Sequence, residues 1–264
     1  MTTINIVLAG PRGKMGTEAV KMIDNEERFK LVAVIDRKRD DVTNTDNTVP
    51  VYYDAKTCFQ EIKPDVFIDL TVPDAGFNHT KTALQNNIRS VVGTSGFTEA
   101  QIEELRTIAK ETNTGCIIAP NFALGAVLMM AFSKVAAQYF PDVEIIEKHH
   151  DQKIDAPSGT AVKTIDMIKQ VREAKKQGHP DEYETIKGSR GGDVEGIKVH
   201  SVRLPGLVAH QEVIFGGKSE LFTIKHDSFH RESFMGGLKL AIDKVMDMNE
   251  LIYGLEHVLQ LDFV

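Results

Sequence analysis

Short apolar runs rich in β-branched residues alternate with amphipathic stretches through the first half of the chain. INIVLAG (4–10) precedes KMGTEAVKMIDN (14–25), KLVAVID (30–36) follows, and DVFIDLTV (65–72) leads into a helix-like segment ending near Asn87. SVVGTSG (90–96), EAQIEELRTIAKET (99–112) and GCIIAPN (115–121) continue the alternation. Strands that are apolar on both faces and separated by helices belong to a parallel sheet covered on both sides. The pattern predicts a doubly wound α/β domain.

After about residue 121 the order changes. VEIIEKHH (143–150) reads as a strand and AVKTIDMIKQVREAKKQ (161–177) as a helix. A Gly/Asp-rich stretch (178–196) then precedes IKVHSVRL (197–204), LVAHQEVIFGG (207–217) and SELFTIKHD (219–227). These three suggest antiparallel strands, the last two joined as a hairpin across Gly216 to Ser219. A second, α+β domain with a mixed or antiparallel sheet is expected over 122–230. ESFMGGLKLAIDKVMDM (232–248) reads as a helix that returns to the first domain, giving that domain residues 1–121 and 231–264.

Composition narrows the function. A chain of 264 residues with 42% hydrophobic content builds one large or two modest domains. A formal net charge of −7 argues against nucleic acid and anionic membrane as partners, so an anionic ligand needs a local cationic pocket. Cys58 and Cys116 lack C-x-x-C spacing and point to reduced thiols in a cytoplasmic compartment. No apolar run approaches the roughly 18 residues of a membrane span, and MTTINIVLAG lacks the basic region of a secretory signal.

The first strand runs directly into Gly10, Pro11, Arg12, Gly13, Lys14, Met15 and Gly16. A strand, three glycines three apart and a helix suit a pyrophosphate: the glycines permit a tight turn, close backbone approach and close helix packing, and the helix start supplies the field. The spacing is G-x-x-G-x-x-G, with Arg12 where a second glycine usually stands. Asp36, at the end of the second strand, is placed to accept hydrogen bonds from the adenosine ribose. Together these features predict a Rossmann-type dinucleotide site. Arg37, Lys38 and Arg39 follow the acid and could meet a 2′-phosphate, so NADH and NADPH both remain open.

The segment EKHHDQKIDAPSGTA (147–161) gathers a second set of groups. Successive strand side chains project to opposite faces, so His149 and His150 do not share one job, and no metal is expected there. A histidine serves as a proton donor near neutral pH. Lys153 adds a cation, and Ser158, Gly159 and Thr160 begin a helix whose open N–H groups suit a carboxylate. Each residue has an ordinary structural reading by itself. Together with a hydride-carrying cofactor they describe reduction of a small carboxylate-bearing substrate.

At this point the chain resembles the 4-hydroxy-tetrahydrodipicolinate reductase (dihydrodipicolinate reductase) family, whose E-x-H-H-x-x-K-x-D-A-P-S-G-T-A signature it matches from Glu147 to Ala161 without a gap. GPRGKMG (10–16), FIDLTVP (67–73), VGTSGFT (92–98) and APNFALG (119–125) extend the likeness over most of the chain. The resemblance implies NADH- or NADPH-dependent reduction of a hydroxylated cyclic imine to tetrahydrodipicolinate with loss of water, in the diaminopimelate route to lysine. It implies that His149 is the acid and Lys153 its cationic helper, with His150, Lys153, Ser158, Gly159 and Thr160 at the substrate carboxylates. For the cofactor it implies Gly10 to Met15, Asp36 with Arg37, Thr71, Gly93, Thr94 and Ala119, Pro120, Asn121 and Phe122, with Arg231 at the cofactor or the junction before the last helix. It further implies that 122–230 binds substrate and builds a homotetramer. Pro11, Arg12 and Lys14 depart from the usual loop and bear on phosphate geometry.

Two rival readings have distinct signatures. A semialdehyde or sugar dehydrogenase shares the first domain, and the semialdehyde version needs a nucleophilic cysteine, whereas Cys116 sits inside the apolar run GCIIAP. A nonenzymatic nicotinamide-binding sensor would be favoured by loss of His149 or Lys153, and both are present.

Overall fold

The computed structural model describes residues 3–37, 49–259 and 261. In chain order the elements are β1 (Ile4–Ala9), α1 (Lys14–Asp24), β2 (Phe29–Ile35), β3 (Val51–Tyr52), α2 (Ala55–Ile62), β4 (Val66–Asp69), α3 (Pro73–Gln85), β5 (Arg89–Val92), α4 (Glu99–Thr112) and β6 (Cys116–Ile118). They continue as α5 (Leu124–Ala136), β7 (Asp142–His149), α6 (Gly159–Lys169), β8 (Gly192–Val194), β9 (Ile197–Arg203), β10 (Ala209–Gly217), β11 (Glu220–Ser228), α7 (Met235–Val245) and β12 (Leu251–Tyr253). The chain divides into two compact units, Met1–Phe122 with Phe234–Gln260, and Ala123–Ser233 with Leu261–Val264.

The first unit holds a seven-stranded sheet in the order β12-β6-β5-β4-β1-β2-β3, every pair parallel. Its strands are apolar on both faces because helices cover both. Val7, Ala33, Ile35 and Phe67 pack with Cys58 and Phe59 of α2, while Val92, Cys116 and Ile118 pack with Leu105 and Ala109 of α4. Asp54 caps α2 by accepting from the Thr57 N–H, and Thr98 with Gln101 forms a capping box at α4. Helix α7 is tied to this unit by Arg28, which donates to both carboxylate oxygens of Asp243 at 2.9 and 3.2 Å. The strand order reverses between β1 and β4, and the crevice at the carboxyl ends of strands at such a reversal is where doubly wound sheets bind ligands. No described helix is long and apolar enough to cross a membrane.

The second unit holds a five-stranded mixed sheet, β11-β10-β7-β9-β8. Val143 and Ile145 of β7 and Val213 and Phe215 of β10 are buried on one face. Helices α5 and α6 pack on each other, and α5 also lies against β10 and β11. The predicted hairpin forms between β10 and β11, closing at the pair Gly217 and Glu220.

Three sequence expectations are corrected here. Strand β9 runs parallel to β7 instead of antiparallel. The connection between them passes through α6, and a strand returning by such a crossover lies parallel. Helix α6 stops at Lys169 instead of continuing to Gln177. Beyond it Arg172 donates to the Pro141 and Glu195 carbonyls at 2.6 and 3.0 Å, and the Gln177 amide bonds both backbone groups of Val143, so the chain is drawn along the start of β7. Finally, residues 124–136 form a helix where the pattern announces none. Seven of its residues are buried, among them Val127, Met129, Met130 and Ala131, and a helix covered on most sides shows no amphipathic period.

Candidate active site

In the first unit the glycine loop follows β1. Gly10 lies in the left-handed region (φ 79°), and a Cβ there would come 2.7 Å from the Leu70 carbonyl oxygen. A Cβ on Gly16 would overlap the Gly10 carbonyl oxygen, so the helix start can sit against the turn only with glycine. Gly13 is the N-cap of α1 in an extended conformation, and no side chain caps it. Pro11 is buried, Arg12, Gly13 and Lys14 are exposed and Met15 is half-buried. Open backbone N–H groups at the start of an eleven-residue helix, approachable because the turn carries little side chain, fit a pyrophosphate.

Asp36 lies just past β2, its backbone N–H donating to the Tyr52 carbonyl at 2.9 Å. Arg12, the residue in place of the usual second glycine, reaches it with Nε 3.2 Å from Oδ2. Arg37 is exposed. Lys38 and Arg39 lie outside the described residues. Thr71 follows β4, and Gly93 and Thr94 follow β5, so parallel strands bring all three to the same sheet edge as the glycine loop. Among residues 119–122, Ala119 and Phe122 are buried, Pro120 is exposed and Asn121 half-buried. Cys116 is fully buried, and burial pushes its thiol up to about 12, which leaves no thiolate for semialdehyde chemistry.

In the second unit, β7 delivers the other groups. Val143, Ile145, Glu147 and His149 alternate onto one face, and Glu147 is fully buried. Its Oε2 lies 2.6 Å from His149 Nδ1, and Arg203 donates to both carboxylate oxygens at 2.7 and 2.8 Å. The Ser158 N–H donates to Oε1 at 3.1 Å. Burial by itself raises the Glu147 carboxyl, but hydrogen bonds from His149, Arg203 and Ser201 outweigh it and hold the group at about 2. An ionised carboxylate only accepts, so His149 Nδ1 is the N–H and Nε2 is the position left for exchange with a ligand.

The chain turns after β7, with the Lys153 N–H donating to the His150 carbonyl at 3.2 Å. His150 is half-buried. Lys153 Nζ lies 2.7 Å from Asp155 Oδ1, and this hydrogen bond lowers the Asp155 carboxyl below its ordinary value. Ser158 is buried and accepts from the Ala161 N–H at 3.2 Å, so its hydroxyl caps α6. Gly159 is exposed with open space where a Cβ would stand, and Thr160 beside it is half-buried. Arg231 falls in this unit, at the start of a 3₁₀ turn, Arg231–Phe234.

Two members of this cluster carry no predicted role. Glu147 takes the inward register position that follows buried Val143 and Ile145 on β7, and a charge at such a position is the readable signal. Arg203 is 56 residues from its partner, and nothing local marks it.

A Rossmann-type unit with a bare glycine-rich helix start and a second unit carrying a carboxylate-anchored histidine together define the class: a nicotinamide-dependent oxidoreductase. "Dihydrodipicolinate reductase, N-terminus" matches residues 4–122 and "Dihydrodipicolinate reductase, C-terminus" matches 125–259. A 4-hydroxy-tetrahydrodipicolinate reductase of Oceanobacillus iheyensis is 58% identical over 263 residues, covering 97% of this chain and 99% of that protein. One from Geobacillus kaustophilus is 58% identical over 264 residues, covering 98% of this chain and all of that protein. The dipicolinate-bound dihydrodipicolinate reductase of Paenisporosarcina sp. TG-14 is 53% identical, with a TM-score of 0.92 over 98% of this chain and 100% of that one. The chain belongs to the dihydrodipicolinate reductase family.

Proposed function

We infer that the chain reduces (2S,4S)-4-hydroxy-2,3,4,5-tetrahydrodipicolinate to 2,3,4,5-tetrahydrodipicolinate with loss of water, using NADPH or NADH, in the diaminopimelate route of lysine biosynthesis. Relatives that carry this activity match the chain almost end to end. The observation that carries the residue assignment is the buried Glu147 carboxylate, which binds His149 Nδ1 through one oxygen and the Ser158 N–H through the other. One group thereby sets both the proton donor and the start of α6.

The bound dinucleotide supplies a hydride equivalent. Gly10, Pro11, Arg12, Gly13, Lys14 and Met15 hold its pyrophosphate, and Asp36 with Arg37 holds the adenosine ribose. Thr71, Gly93, Thr94 and the turn from Ala119 to Phe122 hold the nicotinamide end, and Arg231 contacts the cofactor or the junction before α7. His149 carries a proton at Nε2 and delivers it to the ring, while Glu147 keeps Nδ1 protonated and stabilises the imidazolium. Lys153 exchanges Asp155 for the substrate and offsets the charge that develops there. The N–H groups of Gly159 and Thr160 and the Thr160 hydroxyl receive one carboxylate, and His150 faces the same dianion. Ser158 contributes as the cap that fixes their direction.

Gly159→Ala tests the cradle. Its methyl enters open space and disturbs no protein atom, and alanine is the better helix former, so the melting temperature holds or rises. The same methyl stands where the carboxylate belongs, so KM for substrate rises severalfold with dinucleotide affinity unchanged. Thr160→Val, which removes the hydroxyl and keeps the shape, has the same signature. Unaltered KM in both variants assigns this helix start to capping alone.

We also infer a homotetramer built through the second unit in the cytoplasm. Strand β11 is an edge strand with Leu221 and Phe222 exposed, 76% and 43%, and an exposed apolar edge calls for a partner sheet. Light scattering is expected to give four times the 29.3 kDa chain mass, and a monomer contradicts it.

A further inference from the structure

A second buried carboxylate lies in the first unit and takes no part in the chemistry above. Asp69, at the end of β4, is fully buried. Its Oδ1 accepts from the Thr71 N–H at 3.1 Å, the Thr71 hydroxyl at 2.7 Å and the Thr94 hydroxyl at 2.5 Å. Its Oδ2 lies 2.9 Å from His79 Nδ1 on α3. The Thr71 N–H also reaches Thr94 Oγ1 at 3.0 Å, which joins the turn after β4 to the turn after β5. A buried carboxylate needs partners on both oxygens, and here they come from three separate segments.

The polarity of the network has a consequence. Both threonine hydroxyls direct their protons at Asp69, so towards a ligand Thr71 offers its lone pairs and the buried Thr94 the one that the Thr71 N–H does not take. Two threonines of fixed acceptor character, on adjacent turns at the carboxyl edge of the sheet, suit the amide N–H groups of a carboxamide. Gly76 makes room for the arrangement: a Cβ there would come 2.8 Å from Asp69 Oδ1 and 3.0 Å from Thr94.

We propose that Asp69, braced by His79, is a positioning residue that fixes the Thr71 and Thr94 turns as a preformed acceptor site for the carboxamide end of the nicotinamide dinucleotide. The proposal rests on the cofactor reading above. Asp69 acts through the two threonines and touches neither cofactor nor substrate.

The test is the equilibrium affinity for NADH and NADPH, read from nicotinamide fluorescence without substrate and well below the melting temperature. Asp69→Ala frees both hydroxyl protons and raises the dissociation constants for both dinucleotides by about 10-fold to 100-fold, the size of loss seen when a residue that orients a metal ligand is removed. Asp69→Asn restores most of the affinity, because its carbonyl keeps the three donors and its amide can donate to the other His79 tautomer. Gly76→Ala favours the helix yet pushes on Asp69, and weakens both dinucleotides while leaving the fold intact, which keeps the test open if Asp69→Ala does not fold. Wild-type affinity in folded Asp69→Ala or Gly76→Ala overturns the proposal, as does an Asp69→Asn protein as weak as Asp69→Ala. A wild-type chain that binds neither dinucleotide overturns the cofactor reading itself.

Discussion

Replacing His149 by Gln lowers kcat by about 100-fold to 10,000-fold, the usual worth of a positioned acid, while folding and NADPH affinity are retained. Glutamine keeps a polar group of similar reach at the end of β7 but has no transferable proton. Lys153→Met lowers kcat and raises KM together, because the ammonium serves carboxylate binding and the developing charge at once. The double variant separates cooperation from independence: residues acting on one transition state lose less together than the sum of their separate losses. Steady-state kinetics with circular dichroism as the folding control checks all three variants. A His149→Gln protein within a few-fold of wild-type kcat makes the histidine a structural residue.

Glu147→Gln carries the second large effect, on stability and turnover together. Arg203 donates to both oxygens of the carboxylate, so on either side the amide nitrogen of glutamine meets a guanidinium N–H, which loses its acceptor while the guanidinium loses its countercharge. Removing one partner from a buried pair costs about 3–5 kcal/mol. With Nδ1 no longer held by an anion, kcat falls further than unfolding explains, on the order of 10-fold to 100-fold. The pH dependence has a defined sign. The folded carboxyl sits at about 2 against an ordinary 4.5, so its contribution is fully present above 4.5 and is lost as pH falls from there through about 2. The difference corresponds to about 3 kcal/mol. Urea unfolding at neutral pH and at a pH between those two values is expected to show the wild type losing more stability on acidification than Glu147→Gln. Equal losses would remove Glu147 as a buried anion.

The glycine loop, Asp36 and the segment from Glu147 to Ala161 were legible because their physics is local. A turn needs glycine, a helix start needs a cap, and residues 147–161 place two histidines, a lysine and a capped helix start within one stretch. What stayed hidden depends on packing at a distance. Helix α5 shows no period because its neighbours cover most of its surface. The direction of β9 is set by the crossover through α6, which strand composition does not record. Arg12 reads as a departure from the loop pattern until Asp36 is seen beside it. Asp69 lies within FIDLTVP as an ordinary strand-end acid, and only the fold brings His79 and Thr94 to it.

Turnover of 4-hydroxy-tetrahydrodipicolinate by this chain, with His149 as the acid, can be followed directly. The most direct measurement follows the loss of nicotinamide absorbance on adding substrate generated freshly in the cuvette, for the wild type and for His149→Gln, with the product identified by mass. Oxidation of NADPH and of NADH by the wild type is expected, one equivalent per tetrahydrodipicolinate formed, with its near loss in the variant. Dinucleotide that binds without being oxidised, or is oxidised only by a semialdehyde or a sugar, would contradict it.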